Sequence, residues 1–343
     1  MRRYLPLLLI SFLIVVTAFV GTFLASQAGR KNPDSIRSIT IVTTLPVEQA
    51  AALAQEYEKA VGVRVNIIPL APAELVGRLK QEAAAPRADL LLAGADTLEA
   101  AKQAKLLAAY TSPQTDIIPA RFCDVDDYWT GLWYDPVVFA ANRDFLKKLA
   151  QPPASWADLT TTGNARLVMT DFLAADEAAN LLYSMAAAQG EDQTLAYLAG
   201  LHPRVAQYAK FLSTPARMTG LGEADIAITV QSEALRYIKD SFPLQIIIPA
   251  DGTAASVTGA ALAAGSPRVA DAGRFLDWLT GDDAQAVLQK NKLYVIPTNP
   301  ESKLAVEYRS REVTLFAAKA ALSPERKTKL LDRWVQTVRL SPR

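Results

Sequence analysis

The sequence has one cysteine, Cys123, and one histidine, His202, among 343 residues. A lone cysteine excludes an intrachain disulfide and any multi-cysteine zinc or iron–sulfur site. The histidine sits in a loop-like LHPR setting and reads as a solvated or capping side chain rather than a general base. No nucleophile motif, dinucleotide-binding fingerprint or phosphate-binding Walker loop occurs. An excess of one charge is missing too. Setting Arg2 and Arg3 aside, 34 basic side chains face 35 acidic ones, which leaves no electrostatic footprint for nucleic acid. Asp124, Asp126 and Asp127 are close in sequence but lack the spacing of an EF-hand loop, so they read as a solvated loop rather than a calcium site. These absences argue against an enzyme, and no cofactor or metal is expected.

What the chain does have begins at the N-terminus. Leu5–Ala25 carries no charge and follows Arg2 and Arg3. That run exceeds the about 7–15 residues of a signal-peptide core and approaches the roughly 20 that span a bilayer. Residues 1–28 are therefore a signal peptide or an uncleaved anchor, with a polar linker over 29–37. Either way the positive charges hold the short N-terminus inside and put the rest outside the cytoplasm. The expected location is the periplasm, secreted or tethered to the inner membrane.

From Ser38 onward strands and helices alternate. SITIVTTLP, VRVNIIPL and ADLLLA read as strands. Helical spacing of Val47, Ala50, Ala51, Ala54, Tyr57 and Val61, and of Leu75, Val76, Leu79 and Ala83, marks the helices between them. This is a doubly wound α/β pattern, and ADLLLA, apolar throughout, suits the centre of a parallel sheet covered on both faces. Ligands of such sheets bind outside the carboxyl ends of the strands. That rule points to Thr43, Thr44, Gly94 and Asp96. Tyr128–Asp144 reads as a long strand broken at Asp135-Pro136, and a proline there argues for an edge or a crossing. A second alternating block follows, with strand ends at Asp171-Phe172 and Gln231-Ser232. The expected division is a first lobe over 38–135, a second over 136–254, and a return to the first over 255–343. The C-terminal helices, at Val306–Ala321 and Leu330–Val338, are expected on the outside of the first lobe.

VRVNIIPLAPAELVGRLKQEAAAPRADLLLAGA, YWTGLWYDPVVFAANRDFLKK with PPASWADLT, GEADIAITVQSEAL, and IIIPADGTAASVTGAALAAGSPRVADAGRFLDWLTGDDAQAVL occur in that order. Together they resemble type-II periplasmic solute-binding proteins, the receptors of ABC importers, in the branch with ferric-ion, phosphonate and phosphoglycerate binders. The resemblance covers roughly Ile39–Pro300. It implies two α/β lobes joined by two crossover segments that close over a small solute, an ABC permease as partner, and no catalysis. A monomer is expected. Some phosphoglycerate-type relatives present the occupied lobes to a membrane sensor kinase, so a tethered sensing module is the alternative.

Ferric-ion members of the branch carry adjacent tyrosines after the strand that here is ADIAITV. This chain has Gln231-Ser232 there, which argues against bare iron. The remaining set, Thr43, Thr44, Gln231 and Ser232 with helix-start N–H groups, suits an anion such as a phosphonate, phosphate ester or carboxylate, with Arg217 as a charge partner. Against this, Asp96, Asp171 and Glu233 suit a cationic solute such as a polyamine, with Trp133, Tyr134 and Phe172 stacking on it.

Overall fold

The computed structural model describes residues 37–308, 313–317 and 322–342. Among these no helix is long and apolar enough to cross a membrane. The expected signal or anchor over 1–28, and the linker up to residue 36, lie outside the described residues.

The first lobe begins with β1 (Ser38–Thr43), α1 (Val47–Val61), β2 (Arg64–Pro69), α2 (Pro72–Glu82), β3 (Leu90–Gly94), α3 (Ala95–Gln103) and a short β4 (Leu107–Ala108). Ala50, Leu53, Ala54 and Tyr57 form the inward stripe of α1, while Val47 and Val61, expected on the same face, are exposed. Gly62 ends that helix at φ 71°, its N–H donating to the Glu58 carbonyl at 2.8 Å, a left-handed cap that glycine adopts without steric cost. β1 and β3 pair in parallel, with Thr43 beside Leu92. Leu90 and Leu92 enter a core with Ile41, Tyr57 and Phe275. Leu91 and Ala93 point the other way, onto Val42, Leu75 and Leu79. The two-residue strand period thus fills both faces, each buried leucine contributing about 1.5–3 kcal/mol.

The second lobe repeats the logic with α4 (Trp156–Thr161), β6 (Leu167–Thr170), α5 (Asp176–Gln189), α6 (Glu191–Leu201), β7 (Val205–Ala209), α7 (Ser213–Gly220), β8 (Ile226–Val230), α8 (Gln231–Lys239) and β9 (Leu244–Ile247). β6 pairs in parallel with both β7 and β8. Ile226, Ile228 and Val230 face the large core, and Ala227 faces the smaller one behind it. The chain returns through β10 (Ala255–Ala263) to α9 (Val269–Leu279), α10 (Asp282–Lys290), β11 (Ile296–Pro297), α11 (Lys303–Tyr308) and α12 (Pro324–Trp334). The sheet path is β2-β1-β3-β10-β5-β8-β6-β7, where β5 is Thr130–Asn142.

β5 and β10 carry the chain between the lobes. Residues 130–136 of β5 pair with β10, and 137–142 pair with β8 and β9. Pro136 stands at the hand-over, and the next residue, Val137, donates its N–H to Ala254. The missing N–H of proline therefore falls where the strand changes partners, not at a sheet edge. Where the crossing strands touch, Gly131 pairs with Gly259 at a register shift. A Cβ on Gly131 would meet the Phe122 carbonyl oxygen at 2.5 Å, and one on Gly259 the Thr130 oxygen at 2.7 Å. Gly131→Ala is expected to cost about 1–3 kcal/mol by overpacking against backbone, measured as a lower urea midpoint with unchanged m-value. An unaltered midpoint would show that the crossing can relax.

The tail differs from expectation in two ways. Of the stretch expected as a helix over Val306–Ala321, α11 takes in residues up to Tyr308, Leu315 forms a bridge with Thr253 instead, and 309–312 and 318–321 lie outside the described residues. The last helix forms as expected, but it packs on the second lobe. Leu330, Trp334 and Val338 join Phe172 and Tyr208 in that core. Its sequence shows an apolar stripe but not which lobe offers the matching face.

Candidate functional site

Parallel pairing sets two pairs of strand ends side by side. In the first lobe β1 ends at Thr43-Thr44 beside β3, which ends at Gly94. In the second, β6 ends at Thr170-Asp171 beside β8, which runs into Gln231-Ser232. The antiparallel crossing strands lie between them. Thr258 of β10 pairs with Gly94, and Ser256 pairs with Asp135 of β5. Ser256, Thr258, Thr44, Gly94 and Asp135 are all partly open to solvent. The α1, α3, α5 and α8 helices start at these strand ends, and none has a side-chain cap. Their first N–H groups and positive dipole ends therefore face this region.

Several predicted site residues occupy other roles. Thr43 is fully buried, and its hydroxyl donates to the Leu92 carbonyl at 2.7 Å and accepts from Leu45 N–H at 3.0 Å. It shapes the turn and does not reach solvent. Thr43→Ala is expected to cost about 1–3 kcal/mol through the stranded Leu45 N–H and Leu92 carbonyl, read from urea unfolding. Tyr134 is buried, its ring stacked on Phe122 with centroids 4.8 Å apart, and burial raises its pKa. Trp133 is buried in the first-lobe core. Phe172 is buried against Trp334, with ring centroids 4.7 Å apart. None of these rings is free to stack on a cation.

The acids singled out as partners for a cation are neutralised. Asp96 accepts from Lys327 of α12 at 2.5 Å, Asp171 from Arg339 at 2.8 Å, and Glu233 Oε2 lies 2.7 Å from Arg236 in an ion pair without hydrogen-bond geometry. Arg217 is exposed on α7. The Asp124–Asp126 loop is closed by Lys102 Nζ, 2.5 and 2.8 Å from the two carboxylates, not left solvated. His202 is buried, its ring nitrogens 2.9 Å from the Tyr208 hydroxyl and 3.1 Å from the Ser341 carbonyl, so it too is a packing residue rather than a solvated one.

Gln231 and Ser232 are brought to the crossing, though both are buried. Ser232 donates its N–H (2.9 Å) and its hydroxyl (2.5 Å) to Asp135. Gln231 Nε2 is buried with no hydrogen-bond partner among the described residues. Asp135 is not among the residues singled out from the sequence, where Asp135-Pro136 marks only the break in a long strand. Burial drives its pKa up to about 7, Ser232 offsets part of this, and the Glu233 and Glu177 charges add to it. Glu177, on the first turn of α5, lines a pocket with Thr170, Phe172, Val137 and Val230.

A family model for bacterial extracellular solute-binding proteins matches residues 52–316. The chain belongs to this family. As a solute-binding protein it is similar to a probable ABC transporter periplasmic-binding protein, y4fP, of Sinorhizobium fredii, with 26% identity over 96% of this chain and 93% of that one. A putative 2-aminoethylphosphonate-binding periplasmic protein of Salmonella typhi is 29% identical over 42% of each chain. In three dimensions it resembles the periplasmic binding protein AfuA of Actinobacillus pleuropneumoniae, solved with fructose-6-phosphate, at a TM-score of 0.71 and 22% identity, covering 90% of this chain and 100% of that one. The fold is that of a type-II periplasmic binding protein, and relatives in this family are transport receptors rather than enzymes.

Proposed function

We propose that this solute-binding protein is the extracytoplasmic receptor of an ABC importer for a small organic solute bearing an anionic group, such as a phosphonate, phosphate ester or carboxylate. The solute would bind in the cleft at the β5–β10 crossing and be passed to the permease by the closed form. The observation that carries this is the convergence of three uncapped helix starts, those of α1, α3 and α5, on the partly open crossing strands, beside α8, whose Ser232 N–H is taken by Asp135. Uncapped N–H groups are ready donors to an oxyanion. Gln231 and Ser232 supply no anionic oxygens, which disfavours ferric ion, a cation that wants hard anionic donors.

Hinged closure follows from the topology. β5 and β10 cross within the sheet, the chain passes once more to the C-terminal helix on the second lobe, and the ion pairs joining the lobes, Asp96–Lys327 and Asp240–Lys292, are solvent-exposed on at least one side. Such pairs contribute about 0–1 kcal/mol each, too little to lock the lobes, so a solute that binds the closed form more tightly can shift the population.

A thermal-shift screen of residues 30–343 against phosphonates, phosphate esters, carboxylates and ferric ion tests this reading. An anion at about 100 times its dissociation constant should add about 2.7 kcal/mol. Thr44→Trp, placed at the first-lobe strand end, should weaken that ligand about 100-fold, or roughly 2.7 kcal/mol, with little change in the melting temperature. Iron binding with a visible tyrosinate colour would count against the proposal.

A further inference from the structure

Three ion pairs lie around the crossing, and one is built the other way round. In Asp171–Arg339 and Glu233–Arg236 the acid is the more buried partner, so the arginine serves to neutralise it. In Asp96–Lys327 the Asp96 side chain is 81% exposed and the Lys327 side chain only 26%. Here the lysine is the fixed member, and an exposed carboxylate that water can replace at little cost is its partner.

Lys327 is held in place without Asp96. Its helix, α12, sits on the second lobe through Leu330 and Trp334, and Arg326 and Arg333 tie it to Glu191 and Asp192 of α6. The Lys327 ammonium lies 5.3 Å from the centre of the Tyr183 ring on α5, a cation–π contact. Both neighbours of that ammonium flank β10. Asp96 follows Gly94, which pairs with Thr258. Tyr183 is one turn from Asn180, whose Nδ2 donates to the Ala255 carbonyl at 2.9 Å. The lysine is therefore placed beside the Ala255–Thr258 stretch of the crossing, next to the uncapped start of α3.

We propose that Lys327 is the counter-cation for the anionic group of the solute, and that Asp96 occupies the place of that anion until the solute arrives. This inference rests on the reading of the crossing as an anion cleft. The solute anion displaces the Asp96 carboxylate, accepts from the ammonium, which has three donors, and gains the first N–H groups of α3 at the positive end of its dipole. Asp96 turns fully into solvent, where most of its side chain already is. Lys327 belongs to a helix on the second lobe and the α3 N–H groups to the first. An anion bound to both favours the form that brings them together.

The test is calorimetric titration of residues 30–343, which include the whole compact unit Ile39–Arg343, with ethylphosphonate, glycerol phosphate and propionate. Lys327→Met is expected to bind the tightest of these at least about tenfold more weakly, roughly 1.4 kcal/mol. Lys327→Arg offers a cation to the same anion and should stay within about threefold of the native protein. Asp96→Asn should bind about threefold more tightly, the weight of an exposed ion pair, and that gain should vanish when Lys327→Met is also present. Each variant is checked for an intact melting transition. A merely structural ion pair predicts effects of the same sign at both positions. Native affinity in Lys327→Met overturns the assignment and leaves the anion receptor standing. A loss in Asp96→Asn, or a gain that persists without Lys327, overturns the exchange. Binding of none of the three anions overturns both readings.

Discussion

Trp334→Ala is expected to destabilise the protein by about 3–5 kcal/mol, the range for removing a fully buried tryptophan. Trp334 is 0% exposed. Its ring lies 4.7 Å from Phe172 and 5.6 Å from Tyr208, centroid to centroid. Leu330 and Val338, flanking it on the C-terminal segment, are also fully buried in the second-lobe core. Truncation leaves a cavity that the Phe172 and Tyr208 rings border, and a rigid interior fills it only in part. The indole N–H has no hydrogen-bond partner, so Trp334→Phe should cost much less, about 1.5 kcal/mol or under. Urea unfolding of both variants checks this. A loss below about 1 kcal/mol for the alanine would mean that the C-terminal helix does not hold the second lobe together. Phe172 also lines the pocket beside Glu177, so Trp334→Ala should weaken solute binding as well.

Asp135→Asn is expected to stabilise the unliganded protein at alkaline pH. The folded-state pKa is raised from 3.8 to about 7, chiefly by burial. Below about pH 4 the side chain is protonated in both folded and unfolded chains, and it contributes no pH dependence. Between about pH 4 and 7 the unfolded chain ionises first, so stability falls as pH rises; above about 7 the full penalty stands. A shift of this size amounts to about 4 kcal/mol for a fully buried group, and less for a side chain that is partly open to solvent. Asparagine carries no charge, accepts from the Ser232 N–H, and donates to its hydroxyl, so its stability curve should be flat over this interval. The variant should match the native protein at pH 4 and exceed it by about 2–4 kcal/mol at pH 8. Parallel curves for the two proteins would show that Asp135 does not titrate in this range.

Much of the fold could be read from the sequence because it is governed by local periodicity. ADLLLA could be placed at a sheet centre because every residue is apolar, and Leu90 and Leu91 do enter opposite cores. IAITV could be read as a strand for the same reason, and its end at Gln231-Ser232 does meet the crossing. Pro136 signalled the crossing because a proline cannot continue a central ladder, although it sits at a change of partners instead of an edge. The site was less legible. Thr43 and Tyr134 have the right chemistry for a cleft, but their side chains turn into the protein. The strand period alone cannot say which face is the cleft.

By itself, then, the sequence determined the alternation of strands and helices and the strand ends that meet the crossing. These depend on residue type and spacing along a few neighbouring positions. Tertiary structure alone decided which lobe receives the C-terminal helix and which acids keep a free charge. Lys327 is 231 residues from Asp96, and Arg339 is 168 from Asp171. No periodicity predicts such pairs, because the charge left over at a site depends on every chain segment that folds against it.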